Sequence, residues 1–214
     1  MCGKFTTLAS WTGVTDLSQL PTAAERAGED AEIALRVMGL LPVIVWDGQR
    51  RLVVPMRWGF PDPRDSRRPQ PIHARAETID GVRAFADAFA NAQRGIVLAR
   101  SFNETPESGV QHVLTPERPV GIAMLWRRFE IAGSSLLAAV MVTVPANRLL
   151  QGLPTDRMPA ILDPEDWPVW LGETGAPPSM AKACLKTQEG MRWTMRPEQR
   201  PRRRPTVSDP GGLF

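Results

Sequence analysis

Residues 42–54 read Pro42-Val43-Ile44-Val45-Trp46-Asp47-Gly48-Gln49-Arg50-Arg51-Leu52-Val53-Val54, two β-branched runs joined by an Asp-Gly pair. Such runs favour the pleated, half-buried backbone, and Asp-Gly accepts the positive φ that a tight turn demands, so the stretch predicts a β-hairpin. Moving outward, Ile96 to Ala99, Pro119 to Leu125 and Ala138 to Val144 read as further short strands. Gly81 to Gln93 places Val82, Phe85, Ala86, Phe89 and Ala90 on one helical face. Asp163 to Leu171 reads as a helix opened by Pro164, with acidic residues in its first turn. Ala23 to Leu40 has Ala, Glu and Leu at helical spacing behind a Thr22 cap and Glu25, and predicts a short helix. Pro61 to Pro71 is rich in Pro, Arg and Asp and predicts a surface loop. Strands outnumber helices and no βα alternation persists. The expected class is therefore α+β: a single domain over residues 1–195 with a mixed, barrel-like sheet flanked by short helices. From residue 196 to 214 Pro, Arg and Gly dominate, the composition of a flexible basic tail.

A chain of 214 residues with 43% hydrophobic and 23% charged residues suits one globular domain. The closest approach to a membrane-spanning run, residues 131–147, is broken by Gly133, Ser134, Ser135, Thr143 and Pro145. Met1-Cys2-Gly3-Lys4-Phe5 lacks a basic segment followed by an apolar one, so a cytoplasmic, nucleoid-associated location is expected. Two cysteines and two histidines show no ligand spacing, and neither a metal nor an organic cofactor is expected. The net charge of +3 is uneven. Residues 191–205 carry six arginines against one glutamate, which leaves the rest of the chain at −2. Within that body, residues 50–75 carry seven arginines against two aspartates, a local cluster suited to phosphates or equally to solubility.

Cys2 carries the most chemical information. Methionine before a small residue is normally removed, which would leave an α-amine and a thiol on adjacent carbons. The amine has an ordinary pKa of about 7.7–8.0 and the thiol about 8.5, so both are poised near neutrality. Toward an aldehyde the pair forms an imine and then a five-membered thiazolidine; toward an amide or ester the thiol would form an acyl-enzyme.

Five motifs occur in order along the chain: Cys2-Gly3-Lys4-Phe5, Arg57-Trp58-Gly59-Phe60, Ala74-Arg75-Ala76-Glu77-Thr78, Ser101-Phe102-Asn103-Glu104, and Asp156-Arg157-Met158-Pro159-Ala160-Ile161-Leu162. Together they resemble the SOS-response-associated peptidase (SRAP) family, the abasic-site processing proteins. The resemblance implies a single α+β domain that binds single-stranded DNA, whose N-terminal Cys forms a thiazolidine with the ring-opened aldehyde of an abasic site. Matched residue by residue, Cys2 is the crosslinking residue and Glu104 the catalytic glutamate, suited to the proton transfers of ring opening and imine formation. Trp58 and Arg75 match DNA-contacting positions, indole for stacking and guanidinium for phosphate. Core packing is the alternative for Trp58, and an ion pair with Glu77 or Asp80 for Arg75. Lys4, Thr143 and Arg157 match further phosphate contacts, with a structural role the alternative for each. The family name also implies peptidase activity, such as autoproteolytic loss of Met1.

The departures are His73 where the family has Asn, Thr155 where it has His, Thr105 after the glutamate in place of Trp, and Val37-Met38-Gly39-Leu40-Leu41-Pro42 in place of an Asn-x-Ala-Pro segment. These suggest an exchange in which His73 supplies the imidazole that Thr155 does not. His112 matches no motif and reads as a surface residue. Competing readings are a diverged paralogue that binds single-stranded DNA without crosslinking, and an N-terminal-nucleophile amidotransferase. The terminal Leu213-Phe214 behind a basic linker is similar to peptides that dock on the bacterial sliding clamp, although their Gln is missing. A monomer is expected, since the family acts on one strand.

Overall fold

The computed structural model describes residues 3–8, 32–62, 64, 65, 67, 70–104, 110–152 and 155–198. Its strands are β1 (Lys4–Leu8), β2 (Glu32–Arg36), β3 (Leu40–Trp46), β4 (Arg51–Trp58), β5 (His73–Arg75), β6 (Arg94–Ala99), β7 (Ser101–Glu104), β8 (His112–Pro116), β9 (Val120–Ile131), β10 (Ser134–Pro145), β11 (Arg157–Pro159), β12 (Ile161–Leu162) and β13 (Trp193–Pro197). Among the described residues three short α-helices accompany them: α1 (Ala86–Ala90), α2 (Trp167–Leu171) and α3 (Pro178–Ala183).

The expected hairpin is β3–β4, with Val43 opposite Val54 and Trp46 opposite Arg51. A longer hairpin joins β9 to β10. Its two turn residues, Ala132 and Gly133, both have positive φ, as a two-residue turn between right-twisted strands requires. The segment expected to be helical up to Leu40 is corrected over its described part. Glu32–Arg36 is strand β2, because its alternate residue Leu35 is buried against the core while its neighbours face out. The rest of that expected helix lies outside the described residues. The helix expected over Gly81 to Gln93 shrinks to α1, flanked by turns and ended by Ala92 at positive φ.

An α+β fold with few short helices stands, but a single barrel-like sheet does not. The strands divide between two sheets. One has five strands in the order β13-β8-β7-β1-β2, all antiparallel. The other has eight, following the path β11-β10-β4-β3-β6-β9-β12, with β5 beside β10 and the β9–β10 hairpin as a further pairing. This second sheet is mixed, since β10 runs parallel to β4 and β5 and antiparallel to β9 and β11. The physical reason for the split is that β1 pairs with β2 and β7, so its hydrogen-bonding edges are used within the smaller sheet. The two sheets meet through side chains: the rings of Phe5 and Trp58 lie 4.9 Å apart.

The core follows from burial on both faces of β6, all six of whose residues are buried. Arg94 is among them. Its guanidinium donates to the carbonyls of Phe89 and Trp170 and lies over both aromatic rings, pinning α1 and α2 to the sheet. Gly121 in β9 allows another close approach, because a Cβ there would lie 2.7 Å from Trp167 Cζ2. Strand β13 runs to Pro197, so Arg196 and Pro197, assigned from sequence to the tail, pair with Val113 and His112.

Candidate functional site

Strand β10 organises the residues singled out in the sequence. Its register sets Ala139 beside Trp58, Met141 beside His73, and Thr143 beside Arg75. On its other edge, Pro145 pairs with Arg157. Alternate residues of a strand share a face, and register partners point the same way. Trp58, His73, Arg75, Thr143 and Arg157 therefore lie along one face of the larger sheet. The row runs along β10 from Ala139 to Pro145, six steps or roughly 20 Å at the usual rise per residue.

Phe5 of β1 packs on this face at its Trp58 end. In the smaller sheet Phe5 pairs with Phe102, and Glu104 lies two residues further on the same side of β7. Glu104 thus faces the larger sheet. It is 1% exposed, with both carboxylate oxygens shielded from solvent. Because β1 and β7 are antiparallel, following β1 back toward its start leads along β7 toward Glu104. Cys2 lies outside the described residues.

The individual environments differ from the expected roles in several places. Trp58 is fully buried, its Nε1 donating to the carbonyl of Ile72 at 3.3 Å, so it is a core side chain here and offers no face to a base. Arg157 is buried, and its two Nη atoms meet the Glu77 carboxylate at 2.7 and 2.9 Å. Nη2 also donates to the Thr143 carbonyl at 2.7 Å. Thr143 is buried and its hydroxyl donates to the Ala74 carbonyl at 3.5 Å. Arg157 and Thr143 therefore knit β5, β10 and β11 together instead of facing solvent. The Arg157 guanidinium holds the Glu77 carboxyl below its ordinary range. Lys182 does the same for Asp80, with contacts of 2.6 and 2.7 Å. Both carboxylates proposed as partners for Arg75 are thus taken by other cations. Arg75 itself is exposed and makes no ion pair among the described residues, which leaves it as the solvent-facing cation of the row.

His73 is half-buried on β5. Thr155 is set apart from it: its hydroxyl donates to the Arg157 carbonyl at 3.0 Å, and β5 and β11 flank opposite edges of β10. The β10 partners of His73 and Arg157, Met141 and Pro145, are offset by about 13 Å along the strand, and Thr155 precedes Arg157 by two residues. Lys4 is separated from the row altogether. It projects from the outer face of the smaller sheet and pairs with Glu198.

Sequence reading missed one neighbour of Glu104. His112, taken for an isolated surface residue, is its cross-strand partner on β8, with Nδ1 2.9 Å from the Val110 carbonyl. No motif could have signalled this, since the pairing depends on the register across residues 105–111. Among the described residues no group of three or more His, Cys, Asp or Glu could hold a metal ion, and no helix is long and apolar enough to cross a membrane. Leu213-Phe214 and the remaining tail lie outside the described residues.

Comparison with known proteins gives one family. The family model described as SOS response associated peptidase (SRAP) matches residues 1–200. No curated protein matches the chain. Among solved structures, a protein from Bordetella bronchiseptica is similar with a TM-score of 0.70 at 23% identity, covering 92% of this chain and 100% of its own. A protein from Bacteroides thetaiotaomicron is similar with a TM-score of 0.69 at 18% identity, covering 91% of each chain. A phage-related protein from Bordetella bronchiseptica gives 0.63 at 16% identity, over 93% of this chain and 95% of its own. These likenesses establish a shared fold.

Proposed function

Because the chain belongs to the SOS response associated peptidase family, we propose that it binds single-stranded DNA and captures abasic sites covalently through Cys2 after loss of Met1. The observation that carries this reading is the position of Glu104. It is a buried carboxyl group between the two sheets, on the strand along which β1 leads back toward the chain start. A carboxyl group there can move protons onto and off the sugar oxygens while the ring opens. The Cys2 amine then attacks the aldehyde carbon, and its oxygen leaves as water to give an imine. The thiol adds across the C=N bond, sulfur to carbon and proton to nitrogen, closing the thiazolidine. Arg75, exposed beside the row, is the cation that meets a phosphate of the strand. His73, four residues along β10 from the Arg157 pairing, supplies imidazole for proton transfer. A cytoplasmic, nucleoid-associated monomer is the setting this reading implies.

The test is denaturing gel and intact-mass analysis of protein incubated with an oligonucleotide carrying one abasic site, beside Cys2→Ala. A Cys2-dependent adduct that has lost one water is expected. A second reading, a paralogue that binds DNA without crosslinking, is favoured by the inward engagement of Trp58, Thr143 and Arg157. It requires strand binding that survives Cys2→Ala and no adduct with the unmodified protein lacking Met1.

A further inference from the structure

The outer face of the five-stranded sheet carries a polar groove of about 330 Å³, on the side away from Glu104. Alternation decides what lines it. Phe5, Phe102 and Glu104 point inward, so Lys4 and Asn103 point out, joined by Arg196 from the far edge strand. Two features mark this face as more than a solvated surface. Asn103 is 2% exposed, and its Nδ2 has no hydrogen-bond partner, a donor buried at the groove without an acceptor. Lys4 also stands directly opposite Arg36 in the β1–β2 register, and two cations facing each other destabilise a strand pair unless an anion lies near.

An anion is there: the carboxylate of Glu198, which follows β13 and contacts Lys4 Nζ. Arg100 also lines the groove, and Glu32 is its other carboxylate. The donors, namely an ammonium, guanidinium groups and an amide N–H, match the oxygens of a phosphodiester, for which a carboxylate is the nearest side-chain substitute. We infer that this groove takes a backbone phosphate of a nucleic-acid strand, and that Glu198 holds the phosphate position in the free protein. The inference rests on the reading that the protein binds single-stranded DNA. It adds a second contact surface, on the face opposite Glu104.

The experiment uses the full chain carrying Cys2→Ala, so that binding alone is read, with an undamaged single-stranded oligonucleotide followed by fluorescence anisotropy across a salt series. Glu198→Gln removes the competing charge. It should tighten binding several-fold and steepen the slope of log K against log salt by about 0.7, the value for one added single-strand phosphate contact. Arg196→Gln, an exposed change, should weaken binding and flatten the slope. Asn103→Asp, which keeps the shape and reverses the polarity, should weaken it further, with thermal melting confirming the fold. Unchanged affinity and slope in both Glu198→Gln and Arg196→Gln would overturn the inference. So would a response of these variants to inorganic phosphate with none to the oligonucleotide. The outcome is separable from the covalent reading: a tighter Glu198→Gln with no Cys2 adduct in the parent protein leaves the groove standing and the crosslinking wrong. An adduct together with inert groove variants does the reverse.

Discussion

Arg157 and Glu77 form a two-pronged ion pair, Nη1 to Oε1 at 2.7 Å and Nη2 to Oε2 at 2.9 Å, that ties the turn after β5 to β11. The pair is asymmetric. The Arg157 side chain is 8% exposed and that of Glu77 47%. Removing the carboxylate strands a buried cation, whereas removing the cation leaves a carboxylate that water can reach. Glu77→Gln should therefore destabilise the fold by about 1.5–3 kcal/mol, the usual worth of a hydrogen bond to a charged group. Thermal melting should show a drop of several degrees.

The same pair gives a pH dependence. The Glu77 carboxyl is held below its ordinary value by Arg157, so its contribution is fully present above the unfolded value of about 4.3 and is lost as pH falls through the depressed folded value. Denaturant unfolding in acid should show stability falling with pH below about 4, and Arg157→Met should reduce that slope. An identical acid slope in Arg157→Met would contradict the assignment.

Trp58 is the clearest disagreement between motif and structure. Its indole packs on Phe5 with no exposed face, so Trp58→Phe should leave oligonucleotide binding unchanged while lowering the melting temperature modestly through the lost bond to Ile72. A loss of binding at unchanged melting temperature would show that the ring turns out to meet bases.

Gly121 tests the packing of α2. An added methyl would meet two atoms of the Trp167 indole at 2.7 and 2.9 Å and Ile96 Cγ2 at 3.0 Å. Gly121→Ala should cost about 1–3 kcal/mol in chemical denaturation, the range for overpacking a core.

The proposed exchange of an imidazole between positions 73 and 155 is tested by a pair of variants. His73→Asn alone should slow adduct formation, and adding Thr155→His should restore it. A double variant as slow as the single one means the exchange does not operate across the β10 register.

Much of this was legible in the residues, for identifiable reasons. The β3–β4 hairpin was readable because Asp47-Gly48 lies between β-branched runs, a purely local signal. Helical spacing misled over residues 32–36, where pairing with β1 overrides local preference. The division into two sheets was hidden, because which strand pairs with which depends on contacts distant in sequence. At the candidate site, motif order singles out residues but says nothing of their exposure. Arg75 and Arg157 read alike as phosphate-binding arginines, yet one faces solvent and the other is held by Glu77. His112 was missed because strand register, which pairs it with Glu104, is set by contacts that no motif carries.

In the proposed reaction Cys2 captures an abasic aldehyde with Glu104 as its proton-transfer partner. The most direct measurement is the rate of covalent adduct formation on a single-stranded oligonucleotide carrying one abasic site, for the parent protein, Cys2→Ala and Glu104→Gln. The parent should form an adduct, Cys2→Ala none, and Glu104→Gln should form it more slowly by about tenfold or more at unchanged strand affinity. Absence of any adduct from parent protein shown by mass to lack Met1 would contradict this reaction.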